Sequence, residues 1–349
     1  MTQISVIIPS YNHQHFIGEA VQSVLDQTNV DLELIVVDDG SKDGSPQVLR
    51  AYADSRMTVI EQANAGAHNA INRGLELAKG DFLAVLNSDD VFHSDRLSTC
   101  IGELERTRAD LAATWIDIID ENGVVLGTKE GWSNMQPWPI PDTTASFLTS
   151  DDFATNLLVS NFVSTTSNMI FTRRLFNDIG GMRNLRFAHD WDFLFRAAEK
   201  FDCILVNQPL MKYRVHGSNT ISSNRAWMLF EICWVLATGM RRFEGVKFYA
   251  DEHPSTWVAD AIKLHSSINL QGNDKVFWMI RQFISSMERR NIDSPELILL
   301  EDDALRRYFI DNIVIDHLEG SNVQEVIRSN PLLDRVRPYL GRLLGHRFT

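Results

Sequence analysis

Four consecutive polar residues carry the clearest indication of chemistry in the sequence. They are Asn87-Ser88-Asp89-Asp90, and they follow an apolar run at residues 82–86 that predicts a buried strand. Paired carboxylates at a strand end suit a hard divalent cation such as Mg²⁺ or Mn²⁺, which takes oxygen ligands and leaves positions open for phosphate oxygens. The alternative is a turn or a helix cap, because Asp and Asn are favoured there without any ligand.

A second acidic cluster, Asp38-Asp39-Gly40-Ser41, follows another run of Val and Ile. A carboxylate here can accept the imide N–H of a uracil or thymine ring, and Gly40 permits a tight turn beside it. A simple strand-to-helix turn explains the same residues, and for this cluster alone it is the better explanation. The metal interpretation of residues 87–90 gains support from the two clusters together.

The elements that would position these clusters alternate between apolar strands and amphipathic helices. Strands are predicted at residues 4–8, 32–37, 57–61 and 82–86, and helices at 16–25, 46–53 and 67–78. This repeat is typical of an α/β fold with a doubly wound, mostly parallel sheet. Ligands of such sheets bind at the carboxyl ends of the strands, so Pro9-Ser10-Tyr11 and both acidic clusters should converge on one crevice.

The pattern changes after residue 110. Two apolar runs flank Glu121-Asn122-Gly123 and predict a β-hairpin, and the Trp- and Pro-rich residues 131–143 predict a loop that could act as a lid. Further strands are predicted at residues 165–171, 203–206 and 211–215, with a helix at 191–200. From about residue 224 onward, the periodicity predicts helices only.

Composition excludes several classes of protein. The 349 residues include 33 Lys and Arg against 46 Asp and Glu, a formal net charge of −13, which argues against general affinity for nucleic acid or anionic membranes. The sequence contains no run of about 18 apolar residues, and its first residues lack the pattern of a secretory leader, so we expect neither a membrane-spanning helix nor secretion. The three cysteines form no CxxC pair and are expected to stay reduced, so the predicted location is the cytoplasm.

Five motifs in a fixed order make the sequence resemble the large family-two inverting glycosyltransferases. A sixth, His189-Asp190-Trp191-Asp192-Phe193, fits the same pattern further along the chain, and the resemblance covers roughly residues 3 to 220. The five motifs are Val6-Ile7-Ile8-Pro9-Ser10-Tyr11-Asn12, Val36-Val37-Asp38-Asp39-Gly40-Ser41, Asn64-Ala65-Gly66, Asn72-Arg73-Gly74 and Asn87-Ser88-Asp89-Asp90. Each is a weak signal alone, and their common order and spacing make the combination specific.

The resemblance implies the A-type glycosyltransferase fold, a Rossmann-like nucleotide-diphospho-sugar transferase fold, here with a helical C-terminal extension. It implies a catalytic domain at residues 1–222, with a nucleotide-binding half at about 1–110 and an acceptor-binding half at about 111–222. Residues 223–349 would then form an α-helical C-terminal region whose role the sequence does not indicate.

The resemblance also implies roles for individual residues. Tyr11 would pack near the base, Asp39 would read its edge and Asp89 would contact the ribose or sugar. Asp90 would bind Mg²⁺ or Mn²⁺ on the diphosphate, with His216 in reach of the same ion. The full set expected to bind the donor is Pro9, Tyr11, Asn12, Asp39, Asn64, Gly66, Asn72, Ser88, Asp89 and Arg214.

Asp190 matches the position of the family's catalytic base. A carboxylate there could take the proton from an attacking acceptor hydroxyl, and attack opposite the leaving group gives inversion. Its alternative role is to complement the positive end of a helix dipole. The sequence departs from the family at Ile71, where Arg is frequent, and at His189, where Glu is commonest, so one donor contact and the environment of the base differ.

Several alternatives stay open. Trp132 and Trp138 could stack on a sugar or anchor their loop to the core. The chain could be a nucleotide-sugar binding protein without activity, and a nucleotidyltransferase is disfavoured because no Gly-rich basic loop follows the first strand. The expected partners are a nucleotide sugar, for which the resemblance favours a UDP or dTDP link, and a carbohydrate or lipid-linked carbohydrate acceptor. Surface polysaccharide synthesis, a homo-oligomer through the C-terminal helices and attachment to the inner face of the membrane are further expectations.

Overall fold

The computed structural model describes residues 3–133, 152–217, 224–242, 270 and 272–315. The chain divides into two compact units. The first unit comprises Met1–Trp138, Phe162–Arg183 and Lys200–His216, and the second comprises Pro139–Asn161, Asn184–Glu199 and Gly217–Thr349. Trp138 and most of the predicted loop at 131–143 lie outside the described residues. The division of function at residue 222 stays a prediction.

The first unit contains the strands and five of the helices. Its strands are β1 (Gln3–Ser10), β2 (Asp31–Asp38), β3 (Met57–Glu61), β4 (Phe82–Val85), β5 (Val91–Phe92), β6 (Leu111–Ile119), β7 (Val125–Lys129), β8 (Ile170–Thr172) and β9 (Cys203–Arg214). Its helices are α1 (Ile17–Leu25), α2 (Ser45–Arg50), α3 (Ala67–Leu77), α4 (Arg96–Thr107) and α6 (Arg173–Ile179). The mixed α/β class and the doubly wound sheet predicted from the sequence are confirmed.

The sheet has the strand order β3-β2-β1-β4-β8-β6-β9-β5, with β7 paired to β6. Strands β1 to β4 are parallel, as the repeated β-α-β pattern predicted. Helix α3 packs very closely on β1: a Cβ added at Gly74 would lie 2.4 Å from Cγ2 of Ile7, so only glycine fits there. The central strands are buried on both faces, which explains their unbroken Val and Ile runs.

The second part of the sheet is mixed. The predicted hairpin is β6 and β7, which pair antiparallel, whereas β6 and β9 run parallel. Two short strands were predicted within 203–215, but the chain forms one long strand, β9, whose pairing with β6 shifts register on either side of Trp115. A strand predicted at 165–171 begins instead as a 3-10 turn, Thr166–Asn168, before β8.

The second unit is helical where it is described. Its helices are α5 (Phe153–Val159), α7 (His189–Ala198), α8 (Arg225–Arg242), α9 (Asp274–Glu288), α10 (Pro295–Glu301) and α11 (Asp303–Asp311). The expected C-terminal helices are therefore present, and Phe230, Trp234 and Ile280 are fully buried among them. Across the described ranges, none of the helices combines the length and the apolar character needed to cross a bilayer.

Candidate active site

The carboxyl ends of β1, β2 and β4 lie side by side in the first unit. Ser10 at the end of β1 pairs with Asp38 at the end of β2, and the Asp39 amide donates to the Ser10 carbonyl oxygen at 2.8 Å. Strand β4, on the other side of β1, leads into residues 87–90. The strand order therefore brings both acidic clusters to one edge of the sheet, as expected from the sequence.

Asp39 holds the loop that contains Asn64 and Gly66. Its Oδ1 accepts hydrogen bonds from Nε2 of Gln62 at 2.7 Å and from the Ala65 amide at 2.9 Å, and its Oδ2 accepts from the Gly66 amide at 2.9 Å. The carboxylate is 3% exposed. Asp39 was expected to read a base edge; in this structure both its oxygens are engaged by protein donors, and the loop they fix is what borders the site.

Tyr11 and Asn12 follow β1; the Tyr11 side chain is exposed, whereas Asn12 is hydrogen-bonded to the loop after β2. The Tyr11 side chain is 46% exposed, so it is available to a ligand, as expected of a residue that packs on a base. Asn12 has a left-handed backbone (φ 55°) and ties the first loop to the second, donating from its amide to Oγ of Ser41 and accepting at Oδ1 from the Lys42 amide. Pro9 is buried within β1 and shapes the strand end.

Asn72 makes contacts other than those the motif implied. Its Nδ2 donates to the Met182 carbonyl at 2.8 Å, and its Oδ1 accepts from the Met182 amide at 2.7 Å. A Cβ at Gly181 would lie 2.2 Å from Asn72 Oδ1, so the backbone at Gly181 packs directly against the Asn72 side chain. The amide therefore anchors the segment after α6, and the donor contact expected of Asn72 has no support in this geometry.

Asp89 lies beside His216, with its Oδ2 3.0 Å from the His216 Nε2. His13 lies next to them, its Nδ1 2.7 Å from Oγ of Ser88. The ligand atoms of His13, Asp89 and His216 all lie within 4.8 Å of one another. Burial acts to raise the pKa of Asp89, but its hydrogen bond with His216 and the nearby His13 outweigh that effect and hold the pKa below its ordinary value. These three side chains can hold a divalent cation.

Asp90, which was expected to bind the metal, points into the core instead. Its Oδ2 accepts from Oγ of Ser167 at 2.5 Å, its Oδ1 accepts from the Arg214 amide at 3.0 Å, and the residue is 1% exposed. Burial, and then the charge of Asp89, raise the pKa of Asp90 well above its ordinary value. The geometry thus favours Asp89, not Asp90, as the carboxylate that faces a cation.

Arg214 was expected near the diphosphate, but its guanidinium is 2% exposed and bonded within the protein. Its Nε donates to the Asp89 carbonyl at 2.9 Å and its Nη1 to the Asp120 and Glu121 carbonyls at 3.3 Å. Its Nη2 forms an ion pair with Glu19 at 2.5 Å. Because every nitrogen has a protein acceptor, Arg214 acts as a strut that fixes the backbone at Asp89.

A buried polar network lies beneath the Asp89 loop, and sequence reasoning missed it. The Asn87 amide donates to Oγ of Ser167 at 2.9 Å, and the same Ser167 donates to Asp90. Arg96, fully buried, donates to Oγ1 of Thr114 at 2.8 Å and over a longer distance to the Ser167 carbonyl. These residues are far apart in sequence and of ordinary types, so no local pattern identifies them.

In the second unit, Asp190 is the second residue of α7 and is 5% exposed. Its Oδ2 accepts from Nδ2 of Asn161 at 3.0 Å and its Oδ1 from the Trp191 amide at 2.7 Å. Burial raises the pKa of Asp190, although His189 and the hydrogen bond from Asn161 oppose the change. A raised pKa means a greater affinity for a proton than an ordinary aspartate has.

The chain that leads into α7 is held by Glu231 of α8, another residue that sequence reasoning missed. Its carboxylate accepts from three successive backbone amides, those of Arg186, Phe187 and Ala188, at 2.7–3.0 Å. Glu231 is 1% exposed. These hydrogen bonds fix the backbone of the segment that precedes Asp190. In the sequence, the only indication of this role is the position of Glu231 on an otherwise apolar helix face.

Comparison with known proteins gives a family. The sequence model of glycosyl transferase family 2 matches residues 5–180. TuaG of Bacillus subtilis (strain 168), whose name assigns it to teichuronic acid biosynthesis, is 30% identical over 250 residues, which are 70% of this chain and 90% of TuaG. The chain spans 60% to 66% of the length of four further bacterial relatives, named uncharacterized glycosyltransferases, at 27% to 29% identity.

Two solved structures share the fold. S. aureus TarS 1-349 in complex with UDP-GlcNAc matches with a TM-score of 0.52 and 16% identity, over 86% of this chain and 92% of that one. The mannosyltransferase PcManGT from Pyrobaculum calidifontis, in complex with GDP-Man and Mn²⁺, matches with a TM-score of 0.50 and 16% identity, over 88% and 82%. At such identity the likeness concerns the fold alone. The family match and the identity to TuaG confirm the resemblance drawn from the motifs: the chain belongs to glycosyl transferase family 2.

Proposed function

We propose that the chain transfers a sugar from a nucleotide diphosphate sugar to an acceptor hydroxyl, with inversion at the anomeric carbon and with Mg²⁺ or Mn²⁺ on the diphosphate. The observation that carries the proposal is the pair of Asp89 Oδ2 and His216 Nε2, 3.0 Å apart beyond the carboxyl end of β4. Ligands of doubly wound sheets bind at this edge.

The donor set at this position fits a divalent cation. A carboxylate and imidazole nitrogens within 4.8 Å of one another can share one ion, and Asp89 takes the role first expected of Asp90. When bound, the cation would act as a Lewis acid toward the charge that develops on the departing diphosphate. Arg214 and the network around Ser167 hold the Asp89 backbone in position for it.

The nucleoside would lie against the first two strand ends. Tyr11 is exposed there, and the loop that Asp39 fixes, with Asn64 exposed on it, offers further contacts. UDP- or dTDP-linked donors are the first to test. TarS and PcManGT, which were solved with UDP-GlcNAc and GDP-Man, share this fold and so extend the choice to guanine nucleotides.

Asp190 would serve as the general base. The acceptor oxygen attacks the anomeric carbon, the bond from that carbon to the diphosphate oxygen breaks, and the hydroxyl proton passes to a carboxylate oxygen of Asp190. One displacement on the face opposite the leaving group inverts the configuration. The raised pKa of Asp190 supports this role, because a base with higher proton affinity takes the proton more readily.

The acceptor is proposed to be a carbohydrate or lipid-linked carbohydrate in surface glycan synthesis. The name of TuaG, which refers to teichuronic acid biosynthesis, supports this class. Assembly of copies through the C-terminal helices and attachment to the inner face of the membrane stay predictions.

Release of the nucleotide diphosphate from a panel of UDP-, dTDP- and GDP-sugars with Mn²⁺ tests the proposal. Wild-type protein should turn over one donor class, and Asp89→Ala and Asp190→Asn should each lose at least a hundredfold in rate, as expected for loss of a metal ligand or a general base. Asp54→Asn, at an exposed ion pair with Arg56, is the matched control and should keep full activity. Tight donor binding without turnover in wild-type protein would instead identify an inactive binding protein.

A further inference from the structure

His13 is a residue of the site that neither the motifs nor the family match assigns. It follows β1, and its backbone is fixed at both ends: its amide donates to Oγ of Ser45 at 3.0 Å, and its carbonyl accepts from the amides of Phe16 and Ile17 at 2.9 Å. The imidazole is held as well, since its Nδ1 bonds to Oγ of Ser88 at 2.7 Å. The ring therefore has a fixed position beside Asp89.

We infer that His13 is a third protein ligand of the donor's cation, and that the paired imidazoles of His13 and His216 make this site select Mn²⁺ over Mg²⁺. The inference rests on the proposed function, in which Asp89 and His216 hold that cation. It adds one residue and a metal preference that follows from it.

The spacing of the three side chains suits one ion. In an octahedral site with bonds of about 2.1 Å, neighbouring ligand atoms lie about 3.0 Å apart and opposite ones about 4.2 Å apart. The Asp89 Oδ2 and His216 Nε2 atoms are 3.0 Å apart, and all three ligand atoms lie within 4.8 Å of one another. Small side-chain rotations would bring the set to those distances and leave three positions for phosphate oxygens and water.

The ligand types decide the preference. Both ions accept oxygen ligands, but Mg²⁺ is smaller and gives up its water reluctantly, whereas Mn²⁺ is a first-row transition ion and bonds to imidazole nitrogen more readily. A site with one carboxylate and one imidazole still presents mostly oxygen to the ion once the diphosphate and water are bound. With a second imidazole, two of the six ligand atoms are nitrogen. This replacement of oxygen by nitrogen weakens the binding of Mg²⁺ more than that of Mn²⁺.

The competing explanation is that His13 only packs. Its ring lies 6.1 Å from the ring of Phe16 and 5.7 Å from that of His216, edge-on to both. A packing role predicts that replacement of His13 lowers stability and leaves the ligands of the metal unchanged. A ligand role predicts that replacement of His13 changes the set of atoms bound to the metal, and therefore the spectrum of the metal, more than it changes stability.

Electron spin-echo spectroscopy of Mn²⁺ bound to the full chain with UDP separates the two, because coupling to ¹⁴N counts coordinated imidazoles. Wild-type protein should show two coupled nitrogens, and His13→Asn and His216→Asn should each show one. Competition of Mg²⁺ against Mn²⁺ should give a preference for Mn²⁺ that falls on the order of tenfold in His13→Asn. His15→Asn, exposed on the same loop, should match wild type in both measurements.

Bound Mn²⁺ with a single nitrogen in wild-type protein, unchanged in His13→Asn, would overturn the inference and leave the proposed function intact. An absence of Mn²⁺ binding even with UDP would overturn both the inference and the proposed metal role. Equal affinity of the wild-type protein for the two ions would overturn the selectivity.

Discussion

Asp89 and Asp90 are neighbours in the sequence with opposite environments. Asp89 faces His216 at 3.0 Å, whereas Asp90 is 1% exposed and accepts hydrogen bonds from Ser167 and the Arg214 amide. In the turn after β4 the two side chains have different partners, and only that of Asp89 lies beside His216. A cluster of acidic residues in a sequence therefore does not reveal which member binds the ion.

Substitution separates the two roles. Asp89→Asn should weaken Mn²⁺ binding in the presence of UDP on the order of tenfold or more, because a charged ligand is lost. Asp90→Ala should lower the free energy of unfolding by about 1–3 kcal/mol, because it leaves two buried donors without an acceptor. Calorimetric titration and denaturant unfolding measure these effects. The assignment is wrong if Asp90→Ala keeps its stability and loses the metal while Asp89→Asn still binds it.

A pH profile tests Asp190 as the base. Burial raises the pKa of Asp190, so kcat/KM should fall with decreasing pH through a pKa above the ordinary aspartate value, since the base must be deprotonated to act. The hydrogen bond from Asn161 lowers that pKa, so Asn161→Ala should move the acidic limb to higher pH. A limb that stays in place or moves to lower pH in this variant argues against Asp190 as the titrating group.

At the scale of elements, helix α8 fixes the entry to α7 through Glu231. Three backbone amides before α7 donate to that one carboxylate. Glu231→Ala should reduce kcat more than the donor KM, because the segment before Asp190 loses its anchor, and Glu231→Gln should lie between it and wild type because one acceptor oxygen remains. The matched control, Glu301→Ala in an exposed position of α10, should change neither constant. Equal effects of the Ala and Gln variants would indicate that the hydrogen bonds are irrelevant.

Elements were predictable where local periodicity and burial agree. The strands β1 to β4 and the helix α3 were predicted within a residue or two, since the strands are short, rich in apolar residues and bounded by turns, and all but the edge strand β3 are buried. The elements after residue 110 were predicted less accurately. The length of β9 depends on its pairing with β6 across 90 residues of sequence, and α5 and α6 are short helices whose apolar residues give little periodic signal.

Site residues follow the same division. Tyr11 and Asp190 were found through motifs; Tyr11 is exposed, Asp190 is buried with a raised pKa, and the roles of both stay predictions. Asp39, Asn72 and Arg214 were also found through motifs, but their side chains form hydrogen bonds to the backbone of neighbouring loops. A motif records that a residue type is needed at a position, and it does not distinguish ligand contact from support of the backbone. His13 and Glu231 belong to no motif and became visible only through their neighbours in space.

At the scale of the whole molecule, the residues of the proposed reaction are divided between two compact units of the chain. The first contains the sheet, the strand ends and the candidate cation site, and the second contains Asp190 within helices. The proposed reaction needs both, because a cation without a base would favour loss of the diphosphate but not proton removal from the acceptor. A measurement that depends on only one of the two units, such as the affinity of the cation site for Mn²⁺, therefore does not test the reaction itself.

The initial anomer released when the donor is slowly hydrolysed tests the central claim most directly, because water can replace the unidentified acceptor. Proton NMR of the full chain with Mn²⁺ and its preferred α-linked UDP- or dTDP-sugar should show the β-anomer of the free sugar first, with no release above background in Asp190→Asn. First appearance of the α-anomer, or an unchanged rate in Asp190→Asn, would contradict a single inverting displacement with Asp190 as the base.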